Sequence, residues 1–360
     1  MPRNPFYNPA KPHHRPDGFR NPGGDEVSKS LAQVLRWRLE ARRDGLPRPP
    51  SDPIPTARPD LARLHGYAAR HAHDPAGHGP SITWAGHATV LAQLGGLSLL
   101  TDPIFSERAS PLPGVGPKRH QAPGLAPHEL PHVDVVLISH NHYDHLDDAS
   151  VRALAAQAGG PPLFVVPLGL KRWLAARGIT RVAELDWWQS VSVDHGAGTG
   201  AEVVLLPAQH WSARGINDRQ LTLWGGYAVL ARDCHLFYPG DTGYSREFVR
   251  VREHFAPRQH EAAGGGFDIA LMPIGAYAPR WFMSAQHVDV DEALKVCADV
   301  GAKRMLGVHC GTFALSDEAL DEPPRVLKAL REERGLSEDQ CWLMAIGETR
   351  SLPPRGTGPR

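Results

Sequence analysis

The segment ISHNHYDHLDD, Ile138 to Asp148, follows the apolar run VDVVL and holds three histidines and three aspartates in eleven residues. An aliphatic run bounded in this way reads as a buried strand. Residues at the carboxyl end of such a strand face the crevice where α/β proteins hold ligands. His140 and His142 alternate with Asn141, so a locally extended backbone aims both imidazoles the same way. Asp144 and His145 follow after a turn and reach a second position nearby. Three imidazoles and a carboxylate form a borderline-soft nitrogen and oxygen set, suited to zinc and also compatible with iron or manganese. The plain alternative is a polar loop with chance histidines, and the HxHxDH spacing argues against it.

A metal site at one strand end calls for ligands at others. VVLLPAQH ends in His210, HLFYPGD in Asp241 and RMLGVH in His309, each closing an apolar run. From Ser81 onward, short β-branched runs alternate with helical stretches, which the pattern places at residues 148–157, 169–177, 246–255, 290–299 and 323–334. The expected architecture is two sheets with helices outside, an α/β fold.

Composition narrows the function. Lys plus Arg and Asp plus Glu balance at 39 each among 360 residues, which argues against a general nucleic-acid binder. The four cysteines are dispersed without a CxxC pair, as expected of free thiols in a reducing compartment. The amino terminus is rich in proline and glycine and lacks a secretory apolar core, and no apolar run is long enough to span a bilayer. The expectation is a soluble, cytoplasmic protein, peripheral to the membrane if it meets lipid.

Eleven segments, among them ITWAGHATVLAQLGGLSLLTDPIFSERASP, VLISHNHYDHLD, ELDWWQ, QHWSAR, GDTGYS, PIGAYAPRWFMSAQHVDVDEA and HCGTFALSDE, resemble N-acylphosphatidylethanolamine-hydrolysing phospholipase D, a family within the metallo-β-lactamase fold superfamily. The resemblance runs from about Ile82 to Leu352, with a fainter echo in DGFRNP and VLRW. It implies an αββα sandwich with a dinuclear site, two Zn2+, between the sheets. By the same resemblance His140, His142 and His210 hold one ion, Asp144, His145 and His309 the other, and Asp241 bridges them. The implied reaction is hydrolysis of N-acylphosphatidylethanolamine to N-acylethanolamine and phosphatidic acid, a metal-bridging hydroxide attacking phosphorus. Asp144 and Asp241 position that nucleophile. A smaller soluble phosphodiester or lactone is the alternative substrate for the same site.

Other residues admit two readings. His287 can assist at the phosphate with Gln286 orienting it, or both can precede a helix that Asp289 and Glu292 cap. Tyr277 and Arg280 can bind the phosphate, the arginine as a bidentate clamp, or Arg280 can form a structural salt bridge. His87 and Asp102 orient ligand histidines or cap turns. Trp187 and Trp188 read as core or cleft-wall aromatics. Residues 1–80 form a Pro/Gly-rich extension with one amphipathic helix, in which Leu31, Val34, Leu35 and Leu39 share a face. That helix packs on the core, roofs the cleft or meets a membrane surface. The hydrolase domain spans 81–352, and 353–360 read as a disordered tail. The expected partner is a phospholipid at a membrane surface, with a homodimer left open.

Overall fold

The computed structural model describes residues 4–24, 27–74, 79–112, 114–196, 199–260 and 264–355. The chain opens with a short hairpin, β1 (His14–Arg15) and β2 (Gly18–Phe19), then α1 (Leu31–Asp44), α2 (Leu61–His65) and α3 (Tyr67–His73). Three helices therefore occupy this stretch where the sequence suggests one. The two extra ones are only five and seven residues long, too short to show a periodic pattern.

The first sheet contains β3 (Ser81–Gly86), β4 (Thr89–Leu94), β5 (Leu97–Thr101), β6 (Val135–Leu137), β7 (Leu163–Pro167) and β8 (Val182–Leu185). The second contains β9 (Ser190–Gly196), β10 (Thr199–Leu206), β11 (Gly226–Ala231), β12 (His235–Tyr238), β13 (Ile269–Pro273), β14 (Met305–Val308) and β15 (Cys341–Trp342). The last strand, β16 (Thr349–Ser351), crosses back to pair with β3 and completes a seven-stranded first sheet, ordered β16-β3-β4-β5-β6-β7-β8. The second, also seven-stranded, runs β15-β14-β13-β12-β11-β10-β9. In each, antiparallel pairing gives way to parallel pairing, at β5–β6 and at β12–β13.

Side-chain alternation sets the layers. Val135, Leu137 and Val165 pack between the sheets with Leu206, Tyr227 and Val229. Their neighbours Val136, Phe164 and Val166 turn the other way, under Val151 and Leu154 of α4 (Asp148–Ala155) and Leu170 and Leu174 of α5 (Leu170–Ala175). The second sheet is covered by α6 (Glu247–Phe255) and, after the short α7 (Arg280–Met283), by α8 (Val290–Val300) and α9 (Glu322–Glu333). The result is the helix–sheet–sheet–helix sandwich. The five helices read from the sequence in this part of the chain correspond to α4, α5, α6, α8 and α9.

The first and last described segments both dock. Residues 4–21 lie on the core with Phe19 fully buried, and Arg355 pairs with Asp268 at 2.8 Å in a buried site. Residues 353–355 are thus anchored and not a tail, because a buried arginine keeps its carboxylate; 356–360 fall outside the described residues. Among the described residues no helix is long and apolar enough to cross a membrane.

Candidate metal centre

The carboxyl ends of the strands converge at one edge of the sandwich. Asp102 follows β5, His140 follows β6 by three residues, Asp241 follows β12 by the same interval, and His309 directly follows β14. In Tyr238-Pro239-Gly240-Asp241, Gly240 has φ +65°, and a Cβ there would meet Ser139 Cβ at 2.6 Å. Only glycine lets this turn press against the histidine-rich loop. His87 and His309 are themselves left-handed, at φ +51° and +60°, an uncommon conformation for side-chain-bearing residues that concentrates where function fixes the backbone.

His140, His142 and His210 form one group whose ligating atoms lie within 4.8 Å of one another; Asp144, His145 and His309, with His87, form another. Between them, Asp241 Oδ2 lies 4.0 Å from His140 Nε2, 3.9 Å from His210 Nε2 and 3.2 Å from His145 Nε2. All seven residues singled out as ligands come together.

Hydrogen bonds behind the rings fix which nitrogens face inward. His210 Nδ1 donates to the Gln286 carbonyl at 3.0 Å, and His145 Nδ1 donates to Asp102 Oδ2 at 2.7 Å. Ser139 Oγ donates to Asp102 Oδ2 at 2.5 Å, so it accepts from His140 Nδ1 at 2.8 Å. Each arrangement leaves Nε2 bare and pointing into the site. Asp102 is fully buried and also accepts the Ser139 amide at 2.7 Å and the Tyr238 hydroxyl. It therefore fixes the His145 ring directly and the His140 ring through Ser139, besides serving its turn.

These atoms fit a cation. His140 Nε2 and His142 Nδ1 approach to 2.8 Å, and His309 Nε2 and His145 Nε2 to 3.1 Å. Two nitrogens this close need a positive centre between them, a shared proton in the free site or a cation in its place. Asp241 Oδ1 is buried without a well-aligned hydrogen bond, its contact being His309 Nε2 at 3.2 Å. Burial, reinforced by neighbouring imidazoles, holds His140 and His142 well below the usual histidine range, and burial holds His210 at about 4. These three are neutral at physiological pH, as a metal requires. Burial alone would lower His145 and His309, but the Asp241 and Asp144 carboxylates outweigh it and push His309 up to about 9. The same imidazoles reverse the effect of burial on Asp144 and Asp241 and keep both ionised. A pocket that draws protons this strongly carries negative charge for a cation to offset.

The site floors a cleft of about 460 Å³ whose walls include Val34 and Trp37 of α1, Trp211, Phe282 and His287. His287 is buried, its Nδ1 unpartnered and 3.9 Å from Asp241 Oδ2. Burial, with neighbouring His210 and His309, lowers it to about 3 against the pull of Asp241. Its immediate neighbour departs from expectation. The Gln286 side chain turns to Met283 Sδ at 3.6 Å, so Gln286 serves His210 through its carbonyl and does not orient His287. Asp289 and Glu292 do form the capping pair of α8.

Two expected phosphate binders are used elsewhere. Arg280 donates to the His287 carbonyl at 2.8 Å and to Glu292 at 2.7 Å, the structural salt bridge and not the clamp. Tyr277 donates to Glu322 Oε1 at 2.6 Å. In both cases a nearby carboxylate satisfies the donor before any substrate does. Trp187 is a core residue, its indole donating to the Trp224 carbonyl at 2.6 Å, and Trp188 packs on His254. His87 donates to Asp144 Oδ2 at 3.0 Å. Trp211, 4.4 Å from the His142 ring, went unread in the sequence although it adjoins a ligand in QHWSAR.

Residues 98–310 match the family model described as the Beta-lactamase superfamily domain. A Caenorhabditis elegans protein named N-acyl-phosphatidylethanolamine-hydrolyzing phospholipase D 1 is 38% identical over 288 residues, 78% of this chain and 77% of that one. The chain belongs to this family, within the metallo-β-lactamase superfamily. An uncharacterized Mycobacterium tuberculosis protein is 37% identical over 311 residues, 85% of this chain and 75% of its own length. An isothiocyanate hydrolase from Delia radicum gut bacteria shares the fold, with TM-score 0.57 and 19% identity over 75% of this chain and 98% of that one. The family is one of metal-dependent hydrolases, and the sandwich and clustered His and Asp side chains are in keeping with it.

Proposed function

We propose that this protein is a zinc-dependent phosphodiesterase of the phospholipase D type. Its substrate is N-acylphosphatidylethanolamine, and its products are N-acylethanolamine and phosphatidic acid. The observation that carries the reading is the place of Asp241, between two groups of ligands at the floor of a cleft walled by apolar side chains. His140, His142 and His210 would hold one ion, Asp144, His145 and His309 the other, with Asp241 shared. Such a pair, when bound, lowers the pKa of water and offsets charge on phosphoryl oxygens.

The chain's own groups do the rest. Asp241 and Asp144, kept ionised by the imidazoles around them, orient the attacking water and take its proton. His287, neutral above about pH 3, donates an N–H to a phosphoryl oxygen and does not act as a cationic acid. The aromatic pair Trp37 and Phe282, stacked at 4.8 Å, walls the cleft where acyl chains would lie.

Access to a bilayer is supported by α1. Its Leu31, Leu35 and Leu39 are 74%, 53% and 68% exposed, while Arg36, Arg38, Arg42 and Arg43 supply positive charge. Exposed leucines flanked by arginines suit the headgroup boundary of an anionic membrane. The test is turnover of N-acylphosphatidylethanolamine in vesicles by zinc-loaded protein, with Asp241→Asn expected to fall at least about 1000-fold. Cleavage of a soluble diester with no release from vesicles would refute the lipid assignment.

A further inference from the structure

The amino-terminal strap, residues 4–21, has a role beyond packing. His210 sits on the segment after β10, and its backbone N–H is buried. The acceptor for that N–H is Asn21 Oδ1, at 2.9 Å, 189 residues away in sequence. The same oxygen shares the Trp224 indole N–H, at 3.2 Å, with the Ala208 carbonyl, at 3.0 Å, and Asn21 is 1% exposed. His210 is thereby gripped from both sides, by Asn21 at its amide and by the Gln286 carbonyl at its ring.

The strap is built to deliver Asn21 there. Asp186 receives Lys11, His13 at 2.7 Å and His14 at 2.9 Å, and His13 stacks on Trp187 at 4.3 Å. Further along, the Phe19 amide donates to the Gln220 carbonyl at 2.8 Å, and Gln220 in turn donates its amide to Ser212 in the same His210-bearing segment. At Gly18, φ is +150°, and a Cβ would stand 2.3 Å from the Gln220 carbonyl, so this close approach requires glycine. The close approach at Gly18 and the hydrogen bond at Asn21 both fall in DGFRNP, directly after the anchor at Lys11, His13 and His14.

We propose that Asn21 is a positioning residue for His210, and that the strap clasped at Asp186 holds it in place. The inference rests on the reading of His210 as a metal ligand. Removing a partner that fixes the ring of a ligand histidine costs about 10- to 100-fold in metal affinity, and Asn21 fixes the same residue through its backbone.

The experiment measures metal content and zinc affinity, by chelator competition, of the full chain and its variants. Asn21→Leu, which removes the acceptor, is expected to weaken one of two zinc ions by about 10- to 100-fold. Asn21→Asp, which keeps a carboxylate oxygen for both donors, is expected to restore it. Should Asn21→Leu fail to fold, the Lys11→Ala/His14→Ala variant releases the clasp away from the site and is expected to weaken the same ion. Wild-type affinity in a folded Asn21→Leu, or in the clasp variant where that is the one that folds, overturns the proposal. His210→Ala separates the two claims. If it keeps both ions, the reading of the site fails; if it loses one while Asn21→Leu keeps both, only the role of Asn21 fails.

Discussion

Asp102 shows how one buried carboxylate can hold several groups of a candidate metal centre in place. It collects the Ser139 amide and hydroxyl, the Tyr238 hydroxyl and the His145 ring, all in a fully buried position. Removing it leaves several buried donors unsatisfied and frees two ligand imidazoles to rotate. Asp102→Ala is expected to lower zinc affinity by about 10- to 100-fold and stability by about 3 kcal/mol or more; titration with a chelator and thermal unfolding check both. Far from the metals, His235 gives a separate reading of the fold. Burial, helped by the Arg355 guanidinium, lowers its imidazole to about 4, and Gln259 donates to its Nδ1 at 3.2 Å. The unfolded chain therefore binds a proton that the folded chain refuses. Its contribution to stability is complete above pH of about 6.5 and is lost as pH falls toward 4. In metal-free protein His235→Gln should flatten that part of the urea midpoint profile, and an unchanged slope would exclude it as the cause.

At the scale of elements, α1 separates what periodicity reveals from what it conceals. Leu31, Val34, Leu35 and Leu39 read as one apolar face, yet Val34 joins Trp37 and Phe282 while the three leucines face outward. The i, i+3, i+7 stripe of Val34, Trp37 and Ala41 packs inward, and the leucines lie about a quarter-turn or more away. Hydrophobicity alone does not say which of two adjacent stripes finds a protein partner. Replacing Leu31, Leu35 and Leu39 together by Ser is expected to cut vesicle hydrolysis at least about 10-fold and spare a soluble diester; equal loss on both substrates would contradict the membrane role. The long strands and helices of the sandwich were legible because each buries a face with a regular period. The short hairpin, α2, α3 and β16 were not, since elements of two to seven residues acquire their conformation from what they pack on. The candidate ligands could be picked out because metal chemistry restricts them to a few residue types at strand ends, and the seven side chains do converge. For Arg280 and Gln286 the sequence left two readings open, and for Tyr277 it suggested a phosphate contact, because their carboxylate, carbonyl and sulfur partners are distant or ambiguous in sequence.

For the molecule as a whole, two half-parallel sheets bring the ends of β5, β6, β10, β12 and β14 to one edge, and the amino-terminal extension closes over that edge from outside. The sandwich supplies the candidate ligands, the strap hydrogen-bonds the backbone of His210, and α1 supplies both a wall of the cleft and an exposed apolar stripe. Under the proposed function that division would place hydrolysis in the core and lipid access in the extension. The central claim is that His140, His142 and His210 on one side, and Asp144, His145 and His309 on the other, share Asp241 between two ions. Anomalous diffraction from zinc-loaded crystals, recorded on both sides of the zinc absorption edge, tests it most directly. The account predicts two peaks, one in each group, with Asp241 between them. A single peak, or peaks only outside these residues, would contradict it.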